Sequence, residues 1–280
     1  MATRQGADLE AQNVVDFEGV STRGLPEATP ISMQSVNRTD LPMAEAVGID
    51  RMERSIRHGF ARKVFALLTV QIIILMAVIC LFLYIPEIQV YASSPKSTWL
   101  VILSGFLFLL MTVALSCIPD LNKKYPQNLF GLFLLTVVAG VFLGTLCAGI
   151  PAIYVWVAFA ATTGLMLTLG LFACQTRFDF TGMGPYLSVA IMVLLIFSLF
   201  GGLSFTIRSD FNNGVRGIVW SAIGVFIFSM YVVYDIQLVV GGKHRLQFGV
   251  DDYIIATIAL FTDFILIFAL LLGAIGGSQN

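Results

Sequence analysis

The chain has 280 residues, of which 58% are apolar and 12% are charged, whereas a soluble domain carries roughly 45–50% apolar and about 25% charged residues. So few charges cannot cover a water-exposed surface, which excludes an ordinary soluble protein and predicts a polytopic membrane protein. The formal net charge of −1 offers no basic face for binding nucleic acid.

The first fifty residues differ in character from the rest of the chain. They hold three arginines against eight acidic residues, with scattered proline, glycine and serine and no sustained apolar period. They also lack the basic start and the apolar core of about 7–15 residues that mark a signal peptide. Such a stretch buries too little apolar surface to fold. Residues 1–50 are therefore predicted to form a disordered acidic tail, and residues 51–280 the membrane domain.

Seven segments are long and apolar enough to cross a bilayer, which takes about 20 residues per helix. Prolines fall at or beside their junctions, where a missing backbone donor costs little. The sequence therefore predicts an all-α membrane protein with a seven-transmembrane-helix bundle. The predicted spans are Val64–Tyr84, Trp99–Ile118, Asn128–Gly149, Ala152–Cys174, Tyr186–Phe205, Gly217–Val240 and Tyr253–Gly276.

Lysine and arginine predict the orientation of these spans, because cytoplasmic loops retain positive charge. The junctions on the side of the N-terminus hold ten such residues: Arg51, Arg54, Arg57, Arg62, Lys63, Lys123, Lys124, Arg177, Lys243 and Arg245. The opposite junctions hold three, Lys96, Arg208 and Arg216. The N-terminus is therefore predicted to be cytosolic and the C-terminus to lie on the other side. The glycosylation acceptor at Asn37 then faces the cytosol and stays unmodified.

Small residues in the spans are predicted to serve packing. Gly140 and Gly144 form a GxxxG pattern on the third span, which favours close approach of a neighbouring helix within the bundle. The cysteines form no CxxC pair and have no histidine at metal-binding spacing, so they are predicted to be small buried hydrophobic residues. They fall one per span on the first four spans: Cys80, Cys117, Cys147 and Cys174.

Two acidic residues lie inside predicted spans, where a central aspartate costs roughly 2.5–3.5 kcal/mol. Asp235 is on the sixth span, about 8 Å from its cytosolic end, and Asp263 is on the seventh, about 15 Å from its own, at ~1.5 Å per residue. Because consecutive spans are antiparallel neighbours, the two carboxyl groups are predicted to meet. Two carboxylates in a low-dielectric site cannot both ionise cheaply, so the pair retains a proton and titrates as a unit.

Loss of that proton would leave two negative charges that must separate, admit water or recruit a cation. Carboxylate oxygens suit calcium, but calcium takes about 6–8 oxygens. Asp235 and Asp263 are therefore predicted to bind it weakly and transiently, as ion conduction requires.

The face of the sixth span that leads to Asp235 carries Tyr231, Phe228, Gly224 and Ser221 at helical spacing. Tyr231, Phe228 and Ser221 are candidate residues for lining an ion pathway. The alternative is purely structural, a buried hydrogen-bonded pair that locks two helices together.

Three stretches carry a distinctive pattern: HGFARKVFALLTVQ, the junction Gln175–Thr181, and YVVYDIQLVVGGKHRLQFGVDDYIIATIALFTDFILIF. The last combines a Tyr-Asp pair on one span, GGKHR in the loop and an acid on the next span. Together they resemble the transmembrane Bax inhibitor motif-containing proteins, and within them the lifeguard branch. The similarity covers about residues 54–276, leaving out the tail.

The resemblance implies a bundle in which the seventh helix is central, a pH-sensitive calcium leak across internal membranes, and suppression of cell death. It also implies that Asp235 and Asp263 form a di-aspartyl pH sensor. The chain departs from the pattern at Thr262, where relatives often have Leu or Tyr. Some bacterial members also carry a basic latch to the first aspartate at the end of helix two; here the nearest bases are Lys123 and Lys124.

We therefore expect a pH-gated calcium leak channel of the endoplasmic reticulum or Golgi, with the plasma membrane as a further location. Its expected partners are the lipid bilayer, calcium as the permeant ion, and membrane proteins that regulate apoptosis; no cofactor is expected. A proton-coupled secondary transporter or a non-conducting scaffold stays open as an alternative. An enzyme is not expected, because Phe261-Thr262-Asp263 lacks the two glycines of an intramembrane aspartyl protease motif.

Overall fold

The computed structural model describes residues 43–194, 213–241, 248–249 and 251–277. Every long regular element in this part of the chain is an α-helix, and two short 3-10 helices cover Pro95–Ser97 and Phe180–Met183. The helices are α1 (Met43–Tyr84), α2 (Pro86–Ala92), α3 (Thr98–Cys117), α4 (Pro119–Lys123), α5 (Gln127–Cys147), α6 (Ala152–Gln175), α7 (residues 184–194), α8 (Asn213–Val240) and α9 (Tyr253–Gly277).

Six of the described helices are long and apolar enough to span a membrane: α1 from Ser55, α3, α5, α6, α8 and α9. This confirms the all-helical membrane class. The remaining predicted span, residues 186–205, is described only as far as 194, so the count of seven stays a prediction. Helix α9 is the most enclosed of the six, with 61% of its most apolar window buried against 50% for α8; its central place among seven helices also stays a prediction.

The N-terminal boundary differs from the predicted one. Helix α1 begins at Met43, well before Val64 and inside the stretch predicted as a tail. Residues 43–63 contain no proline and are rich in Ala, Glu, Met and Arg, which favour a helix in water as well as in lipid. A hydropathy criterion marks only the apolar part of such a helix. Residues 1–42 lie outside the described part of the chain.

Short helices occupy two of the junctions between the predicted spans. Helices α2 and α4 both have a proline in the first helical turn, where the missing N–H would be unpaired in any case. At the other end of the chain, α8 stops at Val240 because Gly241 adopts a positive φ of 62°. The Gly241 N–H bonds to the carbonyl of Gln237 at 2.9 Å, which is a common way to close a helix.

Helices α1 and α5 run parallel and in close contact. A Cβ added at Gly140 would lie 2.7 Å from Cβ of Val78, and one at Gly144 would lie 2.5 Å from Cδ2 of Phe82. The predicted packing role of the GxxxG pattern is thus confirmed. One further turn along the same contact, Gln71 donates a hydrogen bond to Thr136 Oγ1 at 3.0 Å.

Helices α8 and α9 form an antiparallel pair. Gly224 of α8 lies against Leu270 of α9, close enough that an added Cβ would be 2.8 Å from its Cδ1. Asp235, further along α8, reaches Asp263, further back along α9. We call the end of the bundle where the spanning part of α1 begins the N-side. Helix α8 ends and helix α9 begins at this N-side.

The prediction that all four cysteines are buried is wrong for two of them. Cys147 is buried and Cys80 is partly buried, but Cys117 and Cys174 are exposed on the outside of the described bundle. Both cysteines lie within one turn of the end of their helix. At that position lipid can surround the apolar thiol as favourably as protein can. Composition alone cannot separate these environments, because lipid tails are as apolar as a protein core.

Candidate functional site

Asp235 and Asp263 are both buried, with exposures of 7% and 4%. The antiparallel contact of α8 with α9 brings their side chains within reach of each other. An ionised carboxylate can only accept hydrogen bonds. A hydrogen bond between the two carboxyl groups therefore requires at least one of them to carry a proton, and ionisation of the other would leave a negative charge inside the bundle.

Little else in the described part of the chain balances this charge. No N–H or hydroxyl group there bonds to Oδ2 of Asp263, and the neighbouring hydroxyl of Thr262 is also unpartnered. The Nζ of Lys123, one of the two lysines that follow the end of the second span, lies 3.9 Å from Asp252 Oδ1. A proton held by one of the two carboxyl groups would therefore lower the charge that the site has to bear. A second ionisation would leave two buried charges without a described counter-ion, which is costly.

The site can supply few metal ligands. Within the described ranges, no group of three or more His, Cys, Asp or Glu side chains is arranged to hold a metal ion. Two carboxylates provide at most four of the 6–8 oxygens that calcium prefers. A calcium ion at this place would need at least about two to four further oxygens from water or backbone carbonyls.

The candidate pathway residues on α8 take two different directions. Ser221 and Phe228 are buried, at 9% and 3% exposure, on the part of α8 that contacts α9. Tyr231 instead points towards α7, where its hydroxyl lies 3.3 Å from Ser188 Oγ. In this conformation Phe228 packs in the core around Phe264. A pathway along this face therefore requires the α8 and α9 contact to loosen.

Gln237 is a polar residue of this region that the sequence reading missed. It is fully buried, and its amide bonds twice to the segment between α6 and α7. Its Nε2 donates to the carbonyl of Phe178 at 2.9 Å and its Oε1 accepts from the Phe180 N–H at 2.8 Å. Gln237 thus fixes the last turn of α8, two residues from Asp235, to this segment. A glutamine inside an apolar span next to the acid was the available signal.

The start of α9 is held by polar contacts from several helices, which the sequence reading also missed. Lys63 of α1 places its Nζ 3.2 Å from the centre of the Tyr253 ring. Asn128 of α5, which is fully buried, donates to the Tyr253 hydroxyl at 2.8 Å. Arg57 of α1 donates to the carbonyl of Phe248 at 2.8 Å.

We call Arg57, Lys63, Asn128 and Tyr253 the N-side clamp. It fixes the axial position of α9 and hence of Asp263, about 15 Å further along the helix at ~1.5 Å per residue. The N-side clamp joins residues that lie nearly 200 positions apart in the sequence. No local sequence pattern could therefore predict it.

The helices and the buried acids define a multi-pass membrane protein with a carboxyl pair inside its bundle. Residues 57–280 match the family described as "Inhibitor of apoptosis-promoting Bax1". The chain therefore belongs to the Bax inhibitor-1-like family of membrane proteins, which is linked to the inhibition of apoptosis. The resemblance predicted from the sequence is confirmed.

Individual relatives agree with this assignment. The chain is 27% identical to Protein lifeguard 3 of Homo sapiens over 225 residues, covering 80% of this chain and 70% of the relative. It is 26% identical to Protein lifeguard 3 of Mus musculus, covering 80% and 71%. It is 28% identical to Bax inhibitor 1 of Schizosaccharomyces pombe over 227 residues, covering 81% and 79%.

Proposed function

We propose that this protein is a pH-sensitive calcium leak channel of an intracellular membrane, gated by Asp235 and Asp263, and that the leak contributes to suppressing cell death. The observation that supports the proposal is the pair of buried, neighbouring carboxyl groups of Asp235 and Asp263. Ionisable residues inside membrane proteins are expensive and commonly mark ion or proton pathways. The endoplasmic reticulum or Golgi, with the N-terminus in the cytosol, is the proposed location.

The shared proton gives the proposed gate its trigger. While the proton is present, the hydrogen bond draws α8 and α9 together. When it is lost, the two charges repel, and the repulsion is relieved by separation, by water or by a cation. Calcium and protons then compete for the same oxygens, so calcium occupancy of the pair falls as the pH falls.

Calcium flux into proteoliposomes containing a trapped calcium dye tests the proposal. The purified protein is compared with Asp235→Asn and Asp263→Asn, each of which keeps the side-chain size but cannot ionise. We expect flux that varies with pH in the wild type and a ratio of rates at low and high pH close to one in both variants. Glu87→Gln, which changes an exposed acid in α2, is the matched control and should keep the wild-type profile.

The same vesicles separate the alternatives. A proton-coupled transporter would move calcium faster when a proton gradient of the right sign is imposed and would saturate with calcium. A scaffold would show no flux above empty vesicles. Folded variants with unchanged flux and unchanged pH response would leave Asp235 and Asp263 with a structural role only.

A further inference from the structure

A groove of about 740 Å³ opens between the N-side ends of α3 and α5, away from the carboxyl pair. Its walls are apolar and include Met111, Ala114 and Leu115 from α3, Leu121 from α4, and Phe130 and Gly131 from α5. Its volume lies within the range of roughly 300–1,000 Å³ typical of sites for small ligands. Leu115 also contacts the backbone of α5 at Gly131, so the two helices meet at the floor of the groove.

The mouth of the groove is basic. Leu121, Pro126 and Gln127 line the groove, and the chain between Leu121 and Pro126 contains Lys123 and Lys124, both exposed. This stretch lies between two membrane spans, α3 ending at Cys117 and α5 beginning at Gln127. The lysines are therefore at the level of lipid headgroups, while the apolar walls are at the level of the acyl chains.

Lys123 is only loosely engaged. Its Nζ lies 3.9 Å from Asp252 Oδ1, and its side chain is 57% exposed. An exposed pair at this distance contributes little to stability. The ammonium group can therefore bind a second anion at the mouth of the groove.

We propose that this groove binds one anionic phospholipid, with an acyl chain between α3 and α5 and the phosphate headgroup on Lys123 and Lys124. Basic pockets between membrane helices recognise anionic headgroups in this way. In the orientation predicted from the sequence, the site faces the cytosolic leaflet, where anionic lipids are enriched. Because Lys123 also contacts Asp252 beside the start of α9, the bound lipid competes with that contact.

Native mass spectrometry of the purified full chain tests this site by titration with phosphatidylglycerol or phosphatidylcholine of identical acyl chains. We expect one phosphatidylglycerol to bind more tightly than phosphatidylcholine. Lys123→Gln/Lys124→Gln should weaken phosphatidylglycerol binding by roughly thirtyfold, since each lysine near a membrane surface changes affinity by about fivefold. Lys124→Gln alone, which leaves the Lys123–Asp252 pair intact, should show a smaller loss.

Two matched controls separate the groove from general charge and general lipid contact. Arg62→Gln/Arg177→Gln removes two exposed charges from the same end of the bundle and should leave the preference unchanged. Ala114→Phe fills the groove and should weaken binding of both lipids, whereas Val113→Phe, on the exposed face of the same helix, should not. Soluble glycerophosphoglycerol should fail to compete, because the acyl chain holds the lipid.

The proposal is overturned if the two lipids bind equally, if the arginine control loses as much affinity as the lysine variant, or if soluble headgroup competes fully. A dimer that forms through this face and excludes lipid would assign the groove to a second copy instead. Melting curves in detergent show whether each variant is folded. If the lysine variant does not fold, the loss of lipid binding in Ala114→Phe still tests the proposal. The readout is lipid binding, so it is independent of calcium flux.

Discussion

A carboxyl group in a membrane interior is tolerated only when something compensates its charge. In this chain Asp235 and Asp263 are both buried and lie beside each other, so a proton retained by the pair is the compensation that we propose. Two residues from Asp235, Gln237 bonds to the backbone on both sides of Asp179. Gln237 thus braces the part of α8 that carries Asp235 against the segment between α6 and α7.

Gln237→Ala should destabilise the protein by about 1–3 kcal/mol, because it removes two partly buried hydrogen bonds that contribute roughly 0.5–1.5 kcal/mol each. The free energy of unfolding can be measured by titrating the micelle-solubilised protein with denaturing detergent. Gln175→Ala, at the exposed last residue of α6, should change stability by no more than about 0.5 kcal/mol. Equal free energies of unfolding for the two variants would contradict the role of Gln237 in fixing the end of α8.

At the scale of elements, the bundle is built from close helix contacts rather than from hydrophobic burial, which provides no driving force between helices in lipid. The clearest contact joins α1 to α5, where Gly140 and Gly144 admit Val78 and Phe82. Helix α9 is held differently, by its packing against α8 and by the N-side clamp at its start.

Gly144→Ala should lower the free energy of unfolding by about 1–3 kcal/mol, because the new methyl group has to displace the buried ring of Phe82. Gly164→Ala in α6 is the matched control, since nothing lies within 4 Å of the added Cβ. That variant should be neutral or more stable by about 0.5–1 kcal/mol, as alanine favours a helix interior. If both substitutions had the same effect, the α1 and α5 contact would not be as close as described.

These elements show what the sequence can and cannot predict. The spans follow from hydropathy, because a bilayer demands about 20 apolar residues, and the meeting of Asp235 with Asp263 follows from their places on consecutive helices. The start of α1 was missed because helix propensity continues beyond the apolar part. The N-side clamp and the contacts of Gln237 were missed because they join residues far apart in sequence, which periodicity does not relate.

At the scale of the whole molecule, the uneven distribution of lysine and arginine predicts that the N-side faces the cytosol. Four basic residues of that end make specific contacts or line a groove mouth: Arg57, Lys63, Lys123 and Lys124. Two of the charges that predict the orientation, Arg57 and Lys63, therefore also hold the start of α9.

Seven spans with a cytosolic N-terminus place the C-terminus on the opposite side. Asn37 should therefore remain unglycosylated in cells, whereas an Asn-x-Thr acceptor on a flexible linker after Asn280 should be modified. Mobility before and after endoglycosidase treatment distinguishes these states. Modification of Asn37 that Asn37→Gln abolishes would invert the orientation, and a cytosolic position for both ends would reduce the number of spans to an even one.

Infrared spectroscopy of the protein in lipid nanodiscs at neutral pH tests directly whether the two buried carboxyl groups share one proton. The wild type should show the carbonyl stretch of one protonated carboxyl group per chain that is missing from Asp235→Asn/Asp263→Asn, with Glu87→Gln resembling the wild type. As the pH rises, loss of this proton should remove the band and favour calcium binding. A wild-type spectrum with both groups ionised, indistinguishable in this band from the double variant, would contradict the account.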